Sequence, residues 1–159
     1  MANKEYVFHL YYIFENWVGM SPKIREIKGG GAKNRQSIWF RTYRHDIFNF
    51  YYKEFYVYGE GKKRVPKEIV DWITPRVLAY WFMDDGSKEQ SGYSLATHSF
   101  CYNDNLILVD ALCKLGLDVS IHKDRNKFHL YIKAKDICKF NDLISIYILD
   151  CFLYKLHKL

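Results

Sequence analysis

The chain has 159 residues, a formal net charge of +6, 18% aromatic residues and only three prolines. That length suits one compact domain or two small half-domains. No apolar run approaches the about 18 residues a membrane helix needs, and the start, Met1-Ala2-Asn3-Lys4-Glu5, is neither a signal nor an Arg-rich transit peptide.

A basic chain with 14 Tyr and 11 Phe fits a nucleic-acid binder, because Lys and Arg meet phosphate and Tyr touches sugar or base. The richness in Lys, Tyr, Phe, Ile and Asn resembles translation from an A/T-rich genome such as an organelle's. The four cysteines, Cys101, Cys113, Cys138 and Cys151, have neither CxxC nor zinc-finger spacing. Three of them fall in apolar helical patterns and are expected as buried thiols in a reducing compartment.

In chain order, Lys4 to Val18 reads as a helix with Val7, Leu10, Tyr11, Phe14 and Val18 on one face. Lys23 to Lys28 alternates as a half-exposed strand, Gly29-Gly30-Gly31 turns, and Gln36 to Thr42 returns. His45 to Tyr58 is helical, with Ile47, Phe48, Tyr51 and Phe55 as its core face. A basic loop, Gly59 to Pro66, and a short helix or turn, Lys67 to Trp72, lead to the most informative stretch.

That stretch is Thr74-Pro75-Arg76-Val77-Leu78-Ala79-Tyr80-Trp81-Phe82-Met83-Asp84-Asp85-Gly86. Thr74 suits an N-cap, Pro75 the first helical position, and Gly86 the left-handed residue that ends a helix. The apolar middle predicts burial on more than one side. Two acids at the C-terminus oppose the macrodipole, at a cost of roughly 0.3–1 kcal/mol each, so a cation partner is expected. Leu78, Phe82 and Asp85 share one face by the i, i+4, i+7 rule, and Val77, Trp81 and Asp84 the next. The pattern alone also fits a buried helix whose acids simply reach solvent.

After Gly86 the sequence predicts a strand over 87–90, a turn at Ser91-Gly92 and a return strand from Tyr93 to Phe100. Asn103 is expected to cap a helix over Asn105 to Leu115. Asp118 to Lys123 and Phe128 to Lys133 form a hairpin, and Lys135 to Leu149 a helix. Asp46-Ile47-Phe48-Asn49-Phe50 matches Asp136-Ile137-Cys138-Lys139-Phe140 at an offset of 136 − 46 = 90, which reads as an internal repeat. Lys63 and Lys155 fall at nearly the same distance beyond each copy.

Leu78-Ala79-Tyr80-Trp81-Phe82-Met83-Asp84-Asp85-Gly86 resembles the signature of the LAGLIDADG homing endonucleases, and most resembles the second motif of the double-motif, organellar-intron type. It keeps Leu78, Ala79, Asp85 and Gly86 and departs at Tyr80, Trp81 and Met83. The resemblance implies an α+β fold of two half-domains, with antiparallel hairpins forming a saddle-like sheet and helices on the other face. Residues 1–66 are then an N-terminal half-domain without its lead-in motif helix and first hairpin, and 67–159 a complete C-terminal one carrying the motif helix 74–86. It further implies cleavage of double-stranded DNA with Mg²⁺, Asp85 as metal ligand, and Lys63 and Lys155 as cations flanking the active site. One acid helix stands where the family uses two, so a homodimer or a partner fragment is expected to meet helix 74–86. The alternative is an RNA-binding protein that no longer cuts, such as a splicing maturase or ribonucleoprotein component.

The hairpins supply the expected nucleic-acid contacts: Lys23, Arg25, Lys28 and Arg41 in the first half, and His122, Lys123, Arg125 and Lys133 in the second. A twisted ribbon can enter a major groove with alternate side chains reaching bases and phosphates. A sheet with one wet face accounts for charge too, though less readily for the excess of one sign.

Overall fold

The computed structural model describes residues 4–27, 35–57 and 59–158. Lys28 and the expected glycine turn lie outside the described residues. The chain divides into two compact units between Phe48 and Asn49.

The first unit, Met1–Phe48, opens with α1 (Lys4–Ile13). The helix stops five residues before the expected Val18. Phe14 N–H is shared between the Leu10 and Tyr11 carbonyls, a 3-10 turn follows over Glu15–Trp17, and Val18 is already extended, bridging Thr42. Strands β1 (Lys23–Ile27) and β2 (Arg35–Trp39) pair antiparallel, Lys23 opposite Trp39. Tyr6 and Ile38 are its buried apolar residues, and Trp17 sets its ring edge-on to His45 and Phe48.

Helix α2 (Ile47–Phe55) begins at the junction. Its expected core face is not buried: Ile47 and Tyr51 are exposed, and no residue of the helix is fully covered. Phe50, Tyr51 and Phe55 instead gather around Trp72 at ring separations of 6.1–6.3 Å. Arg64 reaches back from the following loop and donates to the Lys53 and Glu54 carbonyls, satisfying the open C-terminal end of α2.

The second unit, Asn49–Leu159, holds α3 (Ile69–Trp72), α4 (Pro75–Asp85), β3 (Gly86–Glu89), β4 (Gly92–Leu95), α5 (Tyr102–Lys114), β5 (Val119–Asp124), β6 (Lys127–Lys133) and α6 (Ile137–Ile144). The strands form one antiparallel sheet in the order β3-β4-β6-β5. Alternate positions Tyr93, Leu95, Leu130 and Ile132 point to one face and are fully buried with Leu78 and Phe82 of α4, Leu112 of α5, and Phe140 and Ile144 of α6. The rings of Phe82, Tyr93 and Phe140 pack mutually at 4.5–5.2 Å. Tyr93 OH donates to Asn141 and accepts from His157 N–H, so this buried hydroxyl is satisfied at both lone pair and proton.

The α+β class and antiparallel hairpins are as expected. Starts of the matching helices, α2 at Ile47 and α6 at Ile137, lie 137 − 47 = 90 residues apart, each after a two-stranded hairpin. Several local expectations fail for identifiable reasons. Gly86 is extended (φ −89°, ψ 151°), not left-handed, and passes directly into β3. A Cβ there would enter the Phe82 ring, so the requirement for glycine is steric. Strand β4 ends at Leu95, and Phe100 N–H closes a turn onto Thr97. Cys101, not Asn103, caps α5: its sulfur accepts from Asp104 N–H while the Asp104 carboxylate accepts from Cys101 N–H. Helix α6 is shorter than expected, flanked by 3-10 turns over Ala134–Asp136 and Ser145–Tyr147. The thiols are not buried: Cys101, Cys113 and Cys138 are exposed and Cys151 half-buried, with no disulfide. Leu108, Ala111 and Leu112 point α5 inward, which turns Cys113 out.

Candidate active site

Helix α4 positions the site. Thr74 Oγ1 accepts from Val77 N–H at 3.3 Å, and Pro75 occupies the first turn. Leu78, Ala79, Phe82 and Met83 are almost wholly buried. The Leu78–Phe82 face is therefore spent on the unit's own core. Asp85 shares instead the side of Val77 and Trp81, at i, i+4 and i+8, along a cavity of about 270 Å³. Lys63, Val65, Ile69 and Ile73 line its other parts, so Asp85 and Lys63, 85 − 63 = 22 residues apart, open onto one space. Val77, on this same side, is 43% exposed, and Trp81 is half-buried.

Lys155 comes from the 3-10 segment Asp150–Lys155 and lies at the C-terminus of α4. Its Nζ donates to the Met83 carbonyl at 2.7 Å and the Phe82 carbonyl at 3.3 Å, over the rings of Phe152 and Phe82. Burial holds the Lys155 ammonium below its ordinary value, while Asp84 and Asp85 pull it back up. This is a cation partner for the acids at that helix end: it offsets the macrodipole and both carboxylates from one point. All three expected catalytic side chains thus belong to one unit, Asp85 with Lys63 along the cavity and with Lys155 at the helix end.

An ammonium has three N–H donors, and two of those of Lys155 are committed to carbonyls. One remains for a water or phosphate oxygen. Among the described residues no three His, Cys, Asp or Glu side chains are grouped as a metal cage. A Mg²⁺ site needs none, because that ion keeps several waters and is held by one or two carboxylates plus substrate phosphate. Asp85, an exposed carboxylate at a helix end, fits that donor set.

The expected nucleic-acid contacts are spread over both units. Lys23 and Arg25 are exposed on β1 and share a face by alternation. Arg41 is exposed, its guanidinium 5.9 Å from the Trp39 ring. In the second unit His122 lies on β5 and stacks on Tyr131, and Lys123 points to the other side of the strand. Arg125 sits in the hairpin turn with φ 54°. Lys133 is paired with Asp118 at 2.8 Å, and Lys135 takes the second Asp118 oxygen at 2.7 Å. Those two lysines hold the Asp118 carboxyl below its ordinary 3.8. Lys133 is thus a paired cation rather than an open one. His98 and His129 carry no spacing that marks them in the sequence, yet the fold sets His98 against His129 and His129 against His122 from separate elements.

The model of the LAGLIDADG DNA endonuclease family matches residues 1–140. A probable intron-encoded endonuclease 1 of Wickerhamomyces canadensis is 33% identical over 97% of this chain and 70% of its own length. Cytochrome b mRNA maturase bI2 of Saccharomyces cerevisiae is 31% identical over 98% of this chain, which spans only 39% of that protein. Among solved structures, the homing endonuclease I-WcaI bound to its DNA recognition sequence superposes with a TM-score of 0.85 at 32% identity, over 98% of this chain and 72% of that one. The motif helix with its terminal acids, the antiparallel hairpins and these matches together place the chain in the LAGLIDADG DNA endonuclease family.

Proposed function

We propose that the chain acts in site-specific, Mg²⁺-dependent cleavage of double-stranded DNA, with α4 pairing against a second acid helix. The observation that carries this reading is Asp85, held at the end of α4 beside Lys155 and along one cavity with Lys63. The DNA-bound relative supports duplex DNA as substrate, and the exposed Val77 beside Trp81 and Asp85 supports helix pairing at this face. Asp85 would hold the Mg²⁺, which would supply positive charge at the scissile phosphate. The Asp85 carboxylate orients water by accepting its hydrogen bonds. The remaining N–H of Lys155 and the Lys63 ammonium donate to phosphate or water oxygens and stabilise charge as it develops.

Asp85→Asn keeps the shape and removes the charge, so nucleic-acid binding survives and Mg²⁺-dependent cutting of a DNA library is lost. Asp84→Asn retains most cutting, because its side chain departs about 100° from that of Asp85. Cutting by Asp85→Asn at the wild-type rate refutes the metal-ligand assignment.

A second reading rests on the maturase relatives: a chain that binds structured RNA and does not cut. It predicts no cleavage with Mg²⁺ or Mn²⁺ and little effect of Asp85→Asn. Either reading fits an organellar origin, in keeping with the cytochrome b mRNA and chloroplastic relatives.

A further inference from the structure

Sheet β3-β4-β6-β5 has a second face, opposite the one that buries Leu130 and Ile132, and three imidazoles stand on it or beside it. His98 follows β4, His122 lies on β5, and His129 lies on β6 directly opposite His122 in register. The His98 ring stacks on His129 at 5.6 Å, and His122 meets His129 edge-on at 5.5 Å. His122 also stacks on Tyr131 at 4.8 Å with 19° between planes, its Nε2 3.0 Å from Ser120 Oγ. His129 Nδ1 is buried and has no hydrogen-bond partner. No three metal-ligating side chains are grouped there, so the row is not a metal cage.

An imidazole with one unsatisfied ring nitrogen, in a row of three, is a group whose charge depends on what is laid over it. Besides His98 and His122, the charged groups that reach His129 are Asp124 from β5 and Glu89 from β3. Glu89 is already engaged, accepting from Ser94 Oγ at 2.6 Å. Lys133, on the same strand as His129, is held by Asp118. The face therefore lacks a ready cation at its middle while Arg125 and Lys127 stand at the hairpin end.

We propose that the His98–His129–His122 row is a nucleic-acid contact that takes up protons as it binds, so that phosphate oxygens meet imidazolium N–H donors on this sheet face. The inference rests on the nucleic-acid reading of the chain. Burial first, then the neighbouring imidazoles, hold His129 below its ordinary 6.5, and Asp124 and Glu89 act the other way. In the free protein each imidazolium repels the next. A phosphate backbone reverses the balance by adding negative charge to the same face. The His129 pKa in the complex then exceeds that in the free protein, so the complex holds more protons and affinity rises as pH falls through that window.

The test uses the whole chain and a mixed-sequence DNA duplex at constant ionic strength. Wild-type affinity rises at least about tenfold from about pH 8 to about pH 6. His122→Gln, at an exposed position, cuts that gain to under about threefold. Nuclear magnetic resonance of the His129 ring protons, read with and without duplex, gives a midpoint raised by about one unit on binding. Binding with no pH dependence, an undiminished gain in His122→Gln, or an unmoved His129 midpoint each overturns the inference and leaves nucleic-acid binding intact. Absence of duplex binding at every pH overturns both.

Discussion

Lys155 Nζ donates to the Met83 carbonyl at 2.7 Å and thereby ties the last 3-10 segment of the chain to the end of the motif helix. One side chain closes the open Met83 carbonyl, adds a second donor to the Phe82 carbonyl that Gly86 N–H already reaches, and sets a positive charge beside Asp84 and Asp85. On the proposed reading, structure and chemistry share a residue here. Lys155→Met keeps most of the stem that packs on Phe152 and Phe82 and removes only the head. Unfolding in urea is expected to show a loss of about 1.5–3 kcal/mol, the scale of hydrogen bonds from a charged donor. Cleavage is expected to fall with it. Unchanged stability would remove the capping role.

Gly86 gives a second stability prediction. Its φ is ordinary for any residue, so conformational freedom is not its purpose. The Phe82 ring lies where a side chain would begin, and that ring is fully buried against Tyr93 and Phe140. Gly86→Ala is expected to cost about 1–3 kcal/mol, as overpacking does in a closed core. Gly59→Ala, with open space around its Cβ position but φ +77°, costs about 1 kcal/mol through backbone strain alone. Thermal unfolding of the two variants separates the causes.

Much of the motif helix was legible because its signals are local. Thr74 and Pro75 act within one turn of themselves, and both behave as their residue types require. Gly86 was read as the right boundary by the wrong mechanism, since a ring four residues back is invisible to a rule about φ. The cap of α5 went astray for a similar reason: Asn103 is the better N-cap by type, yet buried Asn105 donates to the Cys101 carbonyl and anchors the helix start two residues earlier. The expectation of buried thiols treated apolar neighbourhoods as faces, and Cys113 and Cys138 lie just off theirs. The join of Lys155 to Met83 spans 155 − 83 = 72 residues. The family resemblance implied that Lys155 flanks the active site, not that it bonds Met83, because nothing in residue spacing carries contacts over that distance.

Asp118 makes acid stability a readable quantity. Lys133 and Lys135 lower its folded pKa below the ordinary 3.8, so the folded state binds fewer protons than the unfolded one between those two values. The stabilisation is therefore fully present above pH 3.8 and lost as pH falls through the folded value. Asp118→Asn is expected to be less stable than wild type at neutral pH and to converge with it at the acid end. A constant difference across the whole range would mean that the ion pairs are not its source.

The same pairing separates two classes of surface cation. Lys23 and Arg25 are exposed on one face of β1, with no ion pair to an acid among the described residues. Lys133 shares Asp118 with Lys135, and contact with phosphate would have to compete with that carboxylate. If Lys23 and Arg25 each displace a counterion on binding, replacing both with alanine lowers the slope of log affinity against log salt by about two, while Lys133→Ala changes it by well under one. Affinity for mixed-sequence duplexes should fall uniformly in the double variant, because phosphate contacts position a protein without reading its sequence. Filter binding of wild type and both variants over a salt series makes the comparison. Equal slopes for wild type and the double variant would take β1 out of the nucleic-acid interface, and a large loss in Lys133→Ala would show that Asp118 releases its lysine when the complex forms.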